Sequence, residues 1–233
     1  MTSEIRRHKI LTLVVLISLA GLLAASTGLA LRLPWLFSFN KANALLRWKE
    51  RVFKGKVLYM VNLQEQDGYL SAYSQQTASG IFYRMVFNPR TKPMASWKWK
   101  VLQFPDKAQL NEGGQGWIEK DDYAARFYVI FPGIMFKGTR CLEYVWDKDL
   151  PEGLILTSPY FKNIKIFVVE SGTKNLGKWV FEERDIRADY KKAFGREPSK
   201  VGAVAIMTDS DNTVSSAEAW YDELKVGYEK QEE

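Results

Sequence analysis

The 233-residue chain is long enough for one domain with a self-sufficient core, and 46% hydrophobic with 14% aromatic residues is far from a disordered composition. The net charge of +6 is spread thinly, with Asp or Glu inside every long basic stretch, which argues against a nucleic-acid partner and leaves a solvated surface or attraction to anionic lipid or acidic glycans. The only histidine, His8, precedes a hydrophobic run and the only cysteine, Cys141, has no partner, so Ser-His-Asp and Cys-His catalysis, a His-ligated zinc site and an internal disulfide are all excluded.

From Ile10 to Leu31 the chain carries no formal charge. As a helix this run spans roughly 33 Å, enough for a bilayer core of about 30 Å. Arg6, Arg7 and Lys9 supply the flank that stays in the cytoplasm, and Trp35 and Phe37 lie where an interfacial belt is expected. Two readings compete, an uncleaved anchor using the whole run and a signal peptide cut near Ala24–Ser26. Either way the expectation is a membrane segment within residues 1–40, followed by a single domain over 41–230 outside a bacterial inner membrane, in the periplasm. Residues 35–53 mix Trp35, Phe37, Phe39, Leu45, Leu46, Trp48 and Phe53 with basic residues. That pattern fits an interfacial stretch or the first element of the domain.

Period-two alternation then recurs to the end of the chain. Val57–Val61, Tyr69–Ser74 and Ile81–Phe87 read as strands, with Asp67-Gly68 and Asn88-Pro89 as turns. Ser96–Leu102 sets Trp97 and Trp99 against Lys98 and Lys100; the tryptophans fit core positions better than a sugar-stacking platform. The Gly-rich stretch Glu112–Gly116 precedes no helix and fails as a phosphate loop. Ala124–Phe131 is apolar on both faces apart from Arg126, and Glu143–Trp146, Leu154–Thr157, Lys165–Glu170 and Trp179–Glu183 continue the series. One helix is expected, capped by Asp185, with Ile186, Tyr190 and Phe194 on one face and Gly195 ending it. Val201–Thr208 and Ala217–Val226 close the chain. Short strands with frequent turns and one helix predict a mainly β fold, a two-sheet antiparallel sandwich of jelly-roll type.

Several stretches carry a family resemblance: FKGKVLYMV at 53–61, SWKWKV at 96–101, DDYAARFYVIF at 121–131, YVW at 144–146, DYKKAFG at 189–195, and VAIMTDSDNT through AWYDELKV at 204–226. Together they resemble the domain of unknown function 3047 family of bacterial envelope proteins, a resemblance that implies no established activity. A looser similarity, through the aromatic–Asp pair Tyr221-Asp222, is to jelly-roll carbohydrate-binding modules.

Candidate chemistry gathers at two places. Asp122, Arg126 and Tyr128 share parity, so they leave one face of a strand as a polar patch suited to sugar hydroxyls, or as a structural ion pair. Asp209-Ser210-Asp211-Asn212-Thr213 offers five oxygen-bearing side chains between two strands. Asp209, Asp211 and Asn212 fit a polar ligand loop, Asp209 and Asp211 could ligate calcium, and the plain alternative is an Asx-rich turn. The EF-hand pattern is not met, since position six is Val214 and Glu218 falls at position ten. Pairs of Asp122 with Asp209, Asp211 or Glu218 suit a glycosidase if held about 5–9.5 Å apart. Tyr128, Lys98 and Lys100 supply the residue types of a lyase without its spacing. The expected function is a non-enzymatic, membrane-anchored module binding an envelope saccharide, requiring no cofactor apart from the calcium alternative. A carboxylate-dependent glycan hydrolase or lyase and an assembly partner in a membrane complex are the rivals.

Overall fold

The computed structural model describes residues 34–63, 67–107, 121–133 and 138–230. The membrane segment expected at Ile10–Leu31 and the Gly-rich stretch Glu112–Gly116 lie outside the described residues. Among the described residues no helix is long and apolar enough to cross a membrane.

Among the described residues, thirteen strands and one helix build the fold. They are β1 (Trp35–Phe37), β2 (Lys49–Lys54), β3 (Leu58–Asn62), β4 (Tyr69–Gln75), β5 (Ala78–Phe87), β6 (Met94–Gln103), β7 (Ala125–Phe131), β8 (Arg140–Asp147), β9 (Ile155–Thr157), β10 (Ile164–Ser171), β11 (Val180–Asp185), α1 (Ile186–Phe194), β12 (Val201–Asp209) and β13 (Ser216–Tyr228). Sheet A has the order β11-β6-β13-β4-β3, with β1 also paired to β13; sheet B has the order β2-β5-β12-β7-β8-β10-β9. Every pairing is antiparallel except β10 with β8. This is the two-sheet β-sandwich that the alternation implies, with its one helix where Asp185 and Gly195 place it. Asp185 accepts a hydrogen bond from Ala188 N at the N-cap, and Gly195 takes φ 66° to end the helix on Lys191 O.

Trp97 and Trp99 point between the sheets and are fully buried. Trp97 packs 4.5 Å from Phe127 and 5.2 Å from Tyr144, ring centroid to centroid, so the sandwich closes on aromatic contacts from both layers. The 35–53 stretch belongs to this core as well. Trp35 and Phe37 pack on Tyr83, and Phe39 and Trp48 are buried, so the interfacial belt expected of Trp35 and Phe37 is not what these side chains form. Leu46 remains exposed, and β1 brings residues ahead of position 41 into sheet A.

The two sheets differ on their outer faces. β6 alternates between buried tryptophans and half-buried lysines, the pattern of a sheet with one wet side. β7 is buried along its whole length. Its outward face joins a second apolar cluster containing Tyr128, Ile130, Cys141, Val145, Ile164, Ile166, Ala203, Ala205 and Met207. Leu150, Leu154, Leu156 and Phe161 from the segments around β9 cover part of it. The uncovered part is where the cleft described below opens.

The turn from β12 to β13 is pinned by hydrogen bonds between Ser74 and Ser210 hydroxyls (2.7 Å) and from Ser215 N to Ser210 O (3.2 Å). Its exposed Val214 is held at φ 51°, a left-handed conformation that costs a β-branched residue roughly 1–2 kcal/mol. Val214→Asn is therefore expected to stabilise the protein by about 1 kcal/mol in urea unfolding, and a loss of stability would show that the Val214 side chain contributes contacts worth more than the strain.

Candidate functional site

Arg126 is the second residue of β7 and faces the outer side of sheet B. The β7–β8 register puts Tyr128 opposite Glu143, and the β7–β12 register puts Arg126 opposite Met207, two residues before Asp209. With a side-chain period of two, Arg126, Tyr128, Glu143 and Asp209 must all point the same way. Arg126 Nε and Nη2 donate to Asp209 Oδ1 and Oδ2 at 2.9 and 2.7 Å, and Nη1 donates to Glu143 Oε1 at 2.8 Å and to Tyr128 Oη at 3.2 Å. Tyr128 Oη in turn donates to Glu143 Oε1 at 3.1 Å, and Arg126 Nη2 reaches the Asp121 carbonyl at 2.5 Å. The guanidinium lies over the Tyr123 ring, 4.5 Å from its centroid. A buried cation needs this density of partners to offset the water it has lost.

This network forms one wall of a cleft of about 80 Å³, room for several water molecules or part of a small polar ligand. Ile130, Ile164, Met207 and Phe53 make an apolar wall, and Asp121, Asp211, Asn212 and Tyr160 complete the polar side. Asn212 Nδ2 donates to Asp121 O at 3.2 Å and Tyr160 Oη to Asn212 Oδ1 at 3.3 Å, bridging two loops and the segment after β9. Burial pushes the Asp121 carboxyl up to about 8, with Glu143 and Asp122 raising it further and Arg126 and Lys107 pulling it back. Burial likewise raises Glu143, against the pull of Arg126 and the hydrogen bonds of Tyr128 and Arg126. Cys141 also lines the cleft, but burial first and Glu143 second push its thiol up, which leaves it a poor nucleophile.

Of the residues singled out from sequence, Arg126, Tyr128, Asp209, Asp211 and Asn212 all line the cleft. Asp122 does not. It precedes β7 and turns behind the cleft, where its Oδ2 accepts from Thr213 N at 2.6 Å and Thr213 Oγ1 at 2.8 Å; Asp121 takes the lining position instead. Carboxylate oxygens of Asp122, Asp209 and Asp211 nevertheless lie within 4.8 Å of one another. Glu218 is on sheet A, bonded by Trp220 Nε1 at 3.1 Å, and takes no part. Lys98 and Lys100 also belong to sheet A, Lys98 bonded to Glu223 and Lys100 over Trp220, so the lyase grouping with Tyr128 does not assemble. Tyr221 and Asp222 are structural: Tyr221 Oη donates to Met207 O at 2.9 Å, and Asp222 Oδ1 accepts from Phe39 N at 3.3 Å. Sequence reasoning missed Asp121, Glu143 and Tyr160. For Glu143 a signal existed, a lone acid on the Cys141/Val145 face of an otherwise apolar strand, but only the strand register brings it to Arg126.

Residues 46–225 match the model of a family described as Protein of unknown function (DUF3047). No curated protein matches the chain. Among solved structures, the chain is similar to the family 11 carbohydrate-binding module of the cellulosomal cellulase Lic26A-Cel5E of Clostridium thermocellum, with a TM-score of 0.45, 9% identity, and coverage of 85% of this chain and 96% of that one. It is also similar to the family 30 module of the cellulase Cel9D-Cel44B of the same organism, with a TM-score of 0.43, 9% identity and coverage of 79% and 93%. A cellulase derived from Cel12A of Rhodothermus marinus gives a TM-score of 0.45, 10% identity and coverage of 80% and 94%. At such scores no ligand carries over from these neighbours.

The raised Asp121 carboxyl fixes a sign. Its folded-state value of about 8 stands above its ordinary 3.8, so the native protein holds a proton that the unfolded chain releases as pH rises. The stability this contributes is complete below about pH 4 and is lost as pH rises towards 8. Asp121→Asn keeps the backbone carbonyl that Arg126 uses, and it is expected to flatten the fall in stability over that window. Urea unfolding at pH 5 and pH 8 tests this; an equal fall in variant and wild type would place the titration elsewhere.

Proposed function

This chain belongs to the DUF3047 family, and we propose that it is a saccharide-binding module of jelly-roll type, tethered to a bacterial inner membrane by residues 10–31 or released by cleavage there, with its sandwich in the periplasm. The observation that carries the binding reading is the composition of the cleft. Four carboxyls (Asp121, Glu143, Asp209 and Asp211) line the cleft, where Arg126 is fully engaged and, among the described residues, Lys54 is the only other cation of the lining. Asp121 Oδ1 is buried there with no hydrogen-bond partner. Apart from the proton on Asp121, such a wall offers a ligand mainly acceptors, and a polyol supplies donors: each sugar hydroxyl donates one hydrogen bond, while the C–H face of the ring suits Ile130, Ile164, Met207 and Phe53. The tether rests on the uncharged Ile10–Leu31 run and its basic flank.

One feature favours a second reading, a carboxylate-dependent glycan hydrolase. A carboxyl held up to about 8 in a cleft has the protonation state of a general acid at neutral pH. Docking of the 35–53 aromatic stretch on another membrane protein has less in its favour, because Phe39 and Trp48 are spent in the core.

The full chain in detergent, screened against envelope polysaccharides, is expected to bind at least one, and Asn212→Ala and Tyr160→Ala are each expected to weaken that binding about tenfold, the loss of roughly 1.4 kcal/mol. Absence of binding to any of them, or variants that bind like wild type, would defeat the saccharide reading. New reducing ends in the same mixtures, abolished by Asp121→Asn, would replace binding with hydrolysis. Protease added to spheroplasts should degrade the domain; protection until the membrane is lysed would put it in the cytoplasm.

A further inference from the structure

We propose that Asp122, Asp209 and Asp211 bind a divalent hard cation, calcium, where the β7 and β12 ends meet behind the saccharide cleft. Each carboxylate offers one oxygen, all three oxygens lie within 4.8 Å of one another, and the residues are only 0%, 3% and 8% exposed. Arg126 pairs with Asp209 and Lys54 approaches Asp211 from 4.0 Å, but among the described residues no cation pairs with Asp122, so the buried cluster has room for further positive charge.

A second observation favours a cation. Asp122 spends Oδ2 on Thr213 N and Oγ1, while its Oδ1 is buried and receives no hydrogen bond. A buried acceptor in that state costs free energy that a metal bond would offset. Arg126 does not serve this oxygen. Its donors go to Asp209, Glu143, Tyr128 and the Asp121 carbonyl. The donor set is all oxygen, without nitrogen or sulfur, the set that hard cations select, and calcium tolerates irregular geometry better than magnesium does.

Among the described residues, Lys54 of β2 also approaches the cluster. Its Nζ donates to Asp211 O at 3.0 Å and lies 4.0 Å from Asp211 Oδ2, with the side chain about half exposed. An ammonium there competes with a metal for Asp211, so the lysine tunes the site. None of this depends on the saccharide reading, since the site is complete without a sugar.

The test is calorimetric titration of the full chain in detergent, stripped with EDTA, using calcium chloride alone and, separately, magnesium chloride. One saturable calcium site is expected, binding calcium more tightly than magnesium and raising the thermal unfolding midpoint. The near-isosteric Asp122→Asn and Asp211→Asn should each weaken it tenfold or more, and Lys54→Met should tighten it severalfold. No saturable calcium binding by wild type would overturn the proposal, above all if Asp122→Asn unfolds at a higher midpoint than wild type, since the cluster would then be neutralised by a proton. Unchanged affinity in all three variants would place the ion elsewhere, and preference for magnesium would overturn the assignment to calcium.

Discussion

Burying the charge of Arg126 is the constraint from which this end of the molecule follows. A guanidinium on the outer face of a central strand is too costly without a full set of acceptors. The set comes from four places at once: Asp209 at the end of β12, Glu143 on β8, Tyr128 on the same strand and the carbonyl of Asp121 before it. Meeting those demands draws the 121–124 segment and the 209–213 loop together, and Tyr123 N seals the join by donating to Asp209 Oδ1 at 3.0 Å. The cleft is the space left between this polar closure and the aliphatic wall beyond it. Its surplus of acceptors is a consequence of satisfying one cation with more than one carboxylate.

The sandwich explains why the charge ended up here. Sheet A keeps a partly wet outer face, where Lys98 and Lys100 find partners in Glu223 and the Trp220 ring. The β7 and β8 strands of sheet B are buried on both sides, so they read as nearly continuous apolar runs and their outer face needs cover. The segments around β9 give that cover over only part of the face. An ion network at the uncovered margin keeps the rest from being a bare apolar patch, which on a surface invites association.

The strands and helix of the domain were largely legible because period-two alternation marks the strands with one wet face and short apolar runs mark the buried ones. Trp97 and Trp99 against Lys98 and Lys100 declared the inside of β6, and Asp185 with Gly195 marked both ends of the helix. β1 and β2 were missed because Trp35–Phe37 is too short to show a period and its aromatics, following an apolar run, fit a membrane interface equally well. At the site, parity joined Arg126 to Tyr128 correctly, but it put Asp122 on their face although Asp122 precedes the strand and the pleat does not extend to it. Glu143 and Asp121 became site residues only through pairing between strands far apart in sequence, information that no local pattern contains.

The pairing that builds the site also narrows what it can do. A general acid or nucleophile must be free to exchange its proton or approach the reacting carbon. Asp209 is held by two bonds to Arg126 and one from Tyr123, and Glu143 by Arg126 and Tyr128. Both line the cleft and both are restrained. Asp121, whose Oδ1 accepts no hydrogen bond and lies 4.0 Å from Arg126 Nη1, is less restrained than either, but a single carboxyl can donate a proton without supplying the second carboxylate that glycoside hydrolysis needs. Asp122 also keeps a buried oxygen without a hydrogen bond, but it lies behind the wall. That restraint counts against Asp209 or Glu143 acting as the nucleophile or acid of a hydrolase.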